Sequence, residues 1–141
     1  MANEWTLVTQ LEPAIPYTVA NGTGIEKGTV LKITDSGTAI ISTASTDPTC
    51  GIAYVEKIAS DGNTQLAVLK RGRAIVTASG AITVGWPVKS AAGSDTAFSN
   101  TVMVCLDTAA NSGAVIIGTA EATFADGERG QIFFNFGSGT K

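Results

Sequence analysis

The amino-acid sequence predicts an all-β protein: a compact β-sandwich or barrel with an extended N-terminal arm and little helix. The β-branched residues Val, Ile and Thr make up 42 of the 141 residues, whereas there are 6 leucines and only 9 Glu and Gln residues. Glycine, asparagine, aspartate and serine recur at short intervals and divide the chain into short apolar pieces. Several pieces alternate apolar and polar side chains, which is typical of half-buried strands.

Residues 1–16 are predicted to form the arm. Proline fixes its own φ and favours extended backbone in the residue before it, so Pro13 and Pro16 predict an extended connector. No turn signal folds the segment back on itself. An ordinary edge strand packed on its own domain is the alternative. The arm residues that we expect to contact a partner are apolar or proline: Trp5, Leu7, Val8, Leu11 and Pro13.

Residues 17–141 are predicted to form a single β-domain, because a chain of this length holds one core without needing a metal or a disulfide. The predicted strands span residues 29–34, 38–43, 50–59, 64–70, 73–78, 86–90, 101–106, 114–124 and 130–136. Residues 108–111 are the one candidate for a short helical turn.

The domain is predicted to contain an internal repeat, with halves at about residues 19–70 and 76–136. Residues 25–32 resemble residues 82–89 at an offset of 57 positions. Two shorter motifs recur with a slip of a residue or two: Gly-x-Ala at 51–53 and 118–120, and Asp-Gly at 61–62 and 126–127.

The residue types argue against an enzyme. There is no histidine, which removes Ser-His and Cys-His catalysis and histidine metal sites. Asp61 and Asp126 each precede a glycine between two apolar runs, so they are interpreted as hairpin-turn residues. Cys50 and Cys105 lack CxxC spacing and are interpreted as small apolar residues rather than a disulfide or zinc site. We expect no catalytic residue, no cofactor and no metal.

Charge and hydropathy also narrow the partners. The net charge of −3 and a pI near 4.8 disfavour nucleic-acid binding. The start of the sequence lacks the basic region and apolar run of a secretory signal. No stretch approaches the roughly 18 apolar residues of a membrane span. We therefore expect a protein made in a cytoplasm, with neither a nucleic acid nor a membrane as its partner.

Five residues are candidates for protein contacts. Lys70, Arg71 and Arg73 form the one concentrated basic patch, which is either a solvated turn or a docking point for an acidic protein surface. Phe133 lies on the opposite strand face from its apolar neighbours, and Trp86 precedes a proline. Exposed aromatic residues of this kind often anchor subunit contacts.

Four stretches carry a resemblance to a known family: Gly-Thr-Val-Leu-Lys-Ile at 28–33, Gly-Ile-Ala at 51–53 followed by Asp61-Gly62, Lys-Arg-Gly-Arg-Ala at 70–74, and Ile-Gly-Thr-Ala at 117–120 leading to Asp-Gly-Glu at 126–128. Over about residues 17–137 the chain resembles the capsid decoration, or cement, proteins of tailed bacterial viruses. The resemblance implies a β-tulip domain that assembles as homotrimers on the outer surface of the virion. It also implies contacts with the major capsid protein, often through an N-terminal arm, a position held here by residues 1–16.

Two other classes remain open for this sequence. A carbohydrate-binding or host-adhesion module would need exposed aromatic platforms, and only Trp5, Trp86, Tyr17 and Tyr54 could supply them. A head-fibre or tail component is a further structural alternative. A small hydrolase fragment is disfavoured by the absence of histidine.

Overall fold

The computed structural model of the chain describes residues 3–44, 46–91, 100–105 and 115–136. These residues form eleven strands and no helix, which confirms the all-β prediction. The residues 108–111, where a helical turn was predicted, lie outside the described part of the chain. The strands are β1 (Thr6–Gln10), β2 (Ile15–Thr18), β3 (Val30–Asp35), β4 (Thr38–Ile41), β5 (Thr49–Ala53), β6 (Gln65–Leu69), β7 (Arg71–Thr77), β8 (Pro87–Ser90), β9 (Val102–Val104), β10 (Ile116–Ala120) and β11 (Arg129–Asn135).

Strands β2 to β6 close into a five-stranded barrel in the order β2-β4-β3-β5-β6. Neighbouring strands are antiparallel, except that β2 and β4 are parallel where Thr18 meets Thr38. Gly37 turns the chain between β3 and β4 with a φ of +67°, a conformation that glycine adopts without strain. The core of the barrel is formed by buried residues of its strands and of the segment between β2 and β3: Tyr17, Val19, Ile25, Leu31, Ala39, Cys50, Ala53, Leu66 and Val68.

The other strands form a six-stranded sheet in the order β1-β7-β11-β10-β8-β9, in which all neighbours are antiparallel. Strands β7 and β11 pair along their full length. An isolated parallel bridge between Ala78 and Val102 joins the end of β7 to β9. The sheet therefore curls around its own core, and β1 lies outside the closed part.

Strands β2–β6 and β7–β11 repeat one pairing pattern. In each set the second strand is flanked by the third and fourth, and the last strand pairs with the fourth and the first. Gly28 and Gly85 have φ values of +85° and +86°, and their amides donate to the carbonyls of Ala53 and Ala120 at 2.8 Å in both cases. The sequence similarity between residues 25–32 and 82–89 thus has a structural counterpart.

One row of the barrel packs against the six-stranded sheet. Val30, Ile52 and Leu69 are neighbours on three paired strands, and all three are buried in the same apolar cluster as the inner residues of the sheet. The inner residues include Val76 and Ile132. The two parts of the fold therefore share a continuous core and are held as one unit.

The N-terminal segment is an edge strand on its own domain, which is the alternative to a separate arm. Strand β1 pairs with the edge of β7, and Trp5, directly before it, is only 3% exposed. The Trp5 ring lies 5.5 Å from the ring of Phe134 and 5.7 Å from that of Phe136, between centroids. Its indole N–H donates to the carbonyl of Asn100 at 2.9 Å. Burial of this large side chain, with a partner for its polar group, holds the segment against its own domain.

Candidate functional site

The outer face of the six-stranded sheet brings together side chains from five strands. Residues next to them in sequence, such as Ala74 and Phe134, are fully buried. Because side chains alternate along a strand, the residues between the buried ones face outward. One row of paired residues, which we name the outer row, crosses this face: Thr9, Arg73, Phe133, Thr119 and Pro87.

Arginine is concentrated on this face. All three arginines of the sequence lie on β7 and β11, and two of them flank the ring of Phe133. The guanidinium carbon of Arg71 is 5.6 Å from the ring centroid of Phe133, which is a cation–π contact. Arg73 is the direct cross-strand partner of Phe133. The face therefore presents an aromatic ring between two positive charges.

Arg73 is oriented by a neighbouring acid and still reaches solvent. Its Nε lies 3.2 Å from a carboxylate oxygen of Glu121, and its side chain is 49% exposed. The side-chain amide of Gln131 donates to the same oxygen at 3.0 Å. An exposed pair of this kind contributes about 0–1 kcal/mol. Arg73 can therefore exchange Glu121 for a carboxylate on a partner at little cost.

The third arginine, Arg129, is a residue that the sequence reasoning missed. Its guanidinium donates to the hydroxyls of Thr77 and Thr6 at 3.0 and 3.1 Å, and to the carbonyls of Ile75 and Glu4 at 3.2 and 3.3 Å. It therefore ties β1 to β7 and β11. The sequence carries no signal for this role, because the residues that Arg129 contacts are more than 50 positions away.

The apolar residues of the N-terminal segment divide into buried and exposed sets. Trp5 is buried and Leu7 packs against the core, so neither is available to a partner in this conformation. Val8 and Leu11 are 51% and 45% exposed, and Pro13 is also exposed. We name Val8, Leu11 and Ile15, which is exposed as well, the edge stripe.

The two remaining candidates lie apart from the outer row. The ammonium of Lys70 is 5.2 Å from the ring centroid of Tyr17, so it contacts the barrel rather than Phe133. Trp86 directly precedes β8 and is 37% exposed. The structure thus brings Arg71, Arg73 and Phe133 together and leaves Lys70 elsewhere.

The aspartates of the two Asp-Gly turns have structural partners. Asp61 accepts the ammonium of Lys57 at 3.1 Å and the amide of Asn63 at 2.8 Å. These hydrogen bonds to Asn63 and Lys57 hold the pKa of Asp61 below its ordinary value. Asp126 accepts the amide of Gly80 at 2.8 Å. Both side chains therefore fix turns, in line with their interpretation as turn residues.

The two cysteines, Cys50 and Cys105, are buried and form no disulfide with each other. Burial raises the pKa of Cys50 to about 11, which keeps it protonated and unreactive near neutral pH. Within the described ranges, no three His, Cys, Asp or Glu side chains converge on a point that could hold a metal ion. Nor does the described part of the chain contain a helix long and apolar enough to cross a membrane.

No known family model matches the sequence, and no curated protein matches it. The function must therefore be inferred from the residues and surfaces of the chain itself.

Proposed function

We propose that this chain is a capsid decoration protein of a tailed bacteriophage. In this proposal it binds the outer surface of the assembled head as a homotrimer and stabilises contacts between subunits of the major capsid protein. Its location is the virion, and it acts by binding rather than by catalysis. The sequence resemblance and the outer row of the six-stranded sheet support this proposal.

The observation that carries the proposal is the arrangement of Phe133 between Arg71 and Arg73. Arginine and aromatic residues are enriched at the centres of protein interfaces. Both arginines and Phe133 stand on paired strands, so little backbone order is lost when a partner binds. The positive charges of this face, on a protein of net charge −3, favour an acidic patch of the capsid shell as the partner.

The edge stripe adds apolar surface next to the outer row. Val8 directly precedes Thr9, the first residue of that row, on β1, and Leu11 directly follows the end of β1. Covering exposed aliphatic side chains contributes about 25 cal/mol per Å² before the costs of association. A trimer that meets the shell at three equivalent places converts such modest contacts into strong overall binding.

The test is size-exclusion chromatography with light scattering, followed by co-sedimentation with empty heads of the phage that encodes the chain. We expect a trimer that sediments with the heads. Phe133→Ala combined with Arg71→Gln is expected to remain folded and to lose most of this binding.

The matched control is Ile58→Ala, because Ile58 is 65% exposed but lies in the connection between β5 and β6, which is not part of the outer row. This variant should bind as the unchanged protein does. If the double variant also binds as the unchanged protein does, the outer row is not the contact surface. If the unchanged protein does not sediment with heads, the decoration function is refuted.

A further inference from the structure

Strand β1 occupies a groove that residues far along the chain build. Its residues Thr6 to Gln10 pair with β7, and the amide of Trp5 donates to the carbonyl of Gly28 at 2.9 Å. The Trp5 ring fills a socket between Phe134 and Phe136. None of these contacts comes from residues 11–26. The groove would therefore accept the same strand from another copy of the chain equally well.

The link between β1 and the rest of the chain is short and lies at the surface. Residues 11–14 connect β1 in the six-stranded sheet to β2 in the barrel. Leu11 and Pro13 are exposed, and the amide of Leu11 donates to the carbonyl of Arg71 at a long 3.3 Å. Pro13 and Pro16 keep the backbone before them extended. A short, exposed connector of this kind invites strand exchange between copies.

Exposed apolar side chains are concentrated around this connector. Three of the eight large apolar side chains that are exposed in the described chain, those of the edge stripe, lie on β1, the connector and β2. In an exchanged assembly, the connectors of two copies cross close to each other. Their edge stripes then shield one another from water, a gain that the unexchanged chain does not have.

We propose that β1 is exchanged between copies of this chain, so that residues 4–10 of one copy fill the β7 edge and the Trp5 socket of a neighbour. Every contact within the groove is the same in both arrangements. The edge stripe, which is covered only in the exchanged form, therefore tips the balance toward the assembly as protein concentration rises. This exchange does not depend on the proposed binding to a capsid. Where both occur, the outer row is the surface that remains for the shell, because the neighbouring copy covers the edge stripe.

The test uses a disulfide across the β1–β7 pair. Thr6 and Ile75 are cross-strand partners, and so are Ile75 and Gln131 within the same sheet. Paired positions on neighbouring strands lie within the reach of a disulfide. The variant Thr6→Cys/Ile75→Cys therefore reports on β1, while Ile75→Cys/Gln131→Cys is a matched control that exchange of β1 leaves within one chain.

After oxidation, we expect the test variant to run as covalent oligomers on a denaturing, non-reducing gel and the control to run as a monomer. A second set, Thr9→Cys/Arg73→Cys with the control Arg73→Cys/Phe133→Cys, covers the case in which the first does not fold. If the test variants run as cross-linked monomers at all concentrations, β1 is not exchanged. If both folded test variants fail to oxidise, β1 does not pair with β7, and the proposal is also overturned. Either result leaves the co-sedimentation test unaffected.

Discussion

Strands β2 and β7 are equivalent in the two halves of the fold, yet their outer edges end differently. Val19 directly follows β2, and Ala78 directly follows β7. The amide of each donates to the carbonyl of the residue that precedes the partner strand, at 2.9 and 3.0 Å. Three positions before these two amides, Pro16 in β2 is equivalent to Ile75 in β7. Ile75 pairs with Thr6 of β1, whereas Pro16 has no amide to offer another strand. One edge is blocked by a residue, and the other is covered by a strand.

Equivalent rows of the two halves also have different surroundings. In the barrel the row is aliphatic and is buried against the six-stranded sheet. In the sheet the corresponding row faces outward and is flanked by arginines. The two rows are Val30, Ile52 and Leu69 in the barrel, and Pro87, Thr119 and Phe133 in the sheet. Of two equivalent rows, one therefore joins the two halves of the fold, and the other stays on the outer surface.

The largest expected effect comes from removing the buried side chain of Trp5, which directly precedes β1 and helps to hold that strand against β7. Trp5→Ala should lower the free energy of unfolding by about 3–5 kcal/mol, because it empties a buried aromatic socket. Urea denaturation measures this loss. Trp86→Ala is the control, since Trp86 is partly exposed and should cost much less. Equal losses for the two variants would show that Trp5 is not part of the core.

Placing a proline in β7 at the position equivalent to Pro16 of β2 should detach β1 from β7. Ile75→Pro removes the amide that faces β1, and a lost buried hydrogen bond costs about 1–3 kcal/mol. Hydrogen exchange should show that the amides of Thr6–Gln10 lose protection while those of the barrel keep it. Unchanged protection across β1 would contradict the equivalence of Pro16 and Ile75.

A third contrast is between two equivalent isolated bridges, one in each half, where a buried lysine in the barrel corresponds to a phenylalanine in the sheet. Lys57 bridges to Ile25 in the barrel, as Phe124 bridges to Ile82 in the sheet. The buried Lys57 ammonium donates to two carbonyl oxygens at 2.9 and 3.0 Å as well as to Asp61. Lys57→Met leaves these oxygens without their donor and should cost about 1–3 kcal/mol in thermal or urea denaturation.

The control for this change is Lys27→Met. Lys27 is exposed, so its replacement should alter the free energy of unfolding by less than about 0.5 kcal/mol. A stable Lys57→Met variant would mean that an apolar side chain, like Phe124 in the other half, serves the barrel equally well.

The smallest expected effect concerns the loop between β4 and β5 of the barrel. Burial raises the pKa of Asp47, but hydrogen bonds from the amides of Thr43 and Ala44 and from Lys32 lower it by more than burial raises it. The pKa of Asp47 therefore lies below its ordinary value. The stabilisation is therefore complete above the pKa of the unfolded chain and is lost as pH falls through the folded-state pKa. Asp47→Asn should cost about 1 kcal/mol at neutral pH.

Urea denaturation of the unchanged protein and of Asp47→Asn at several pH values measures this dependence. The difference between the two should shrink as the solution is acidified. A difference that stays constant from neutral to acidic pH would show that the carboxylate charge of Asp47 contributes nothing.

Local patterns in the sequence were enough to predict nine of the eleven strands, whereas β1 and the first half of β2 lie in residues 1–16, which were predicted as an extended arm. The alternation of Ile132 and Phe134 with outward residues marks β11, and the Ser36-Gly37 turn marks the β3–β4 hairpin. Strand ends were predicted less well: residues 50–59 and 114–124 were predicted as strands, whereas β5 ends at Ala53 and β10 at Ala120. These ends depend on where the partner strand stops, which the sequence does not show.

The sequence could not decide whether the N-terminal segment is an extended arm or an edge strand, because the contacts of this segment are distant in sequence. The carbonyl that accepts the Trp5 indole N–H belongs to Asn100, and the rings against it belong to β11 and the residue after it. Pro16 predicted a connector but lies inside β2, so the predicted boundary between residues 16 and 17 falls within a strand. The basic patch was visible in sequence, whereas its division between Arg71 and Arg73 on one side and Lys70 on the other depends on the strand pairing.

A density map of heads decorated with this protein tests the central claim most directly. We expect the outer row of the six-stranded sheet to face the shell, with the rings and guanidinium groups of residues 71, 73 and 133 against capsid carboxylates. A map in which the barrel meets the shell and the outer row points to solvent would contradict the assignment of that row as the surface left for a partner.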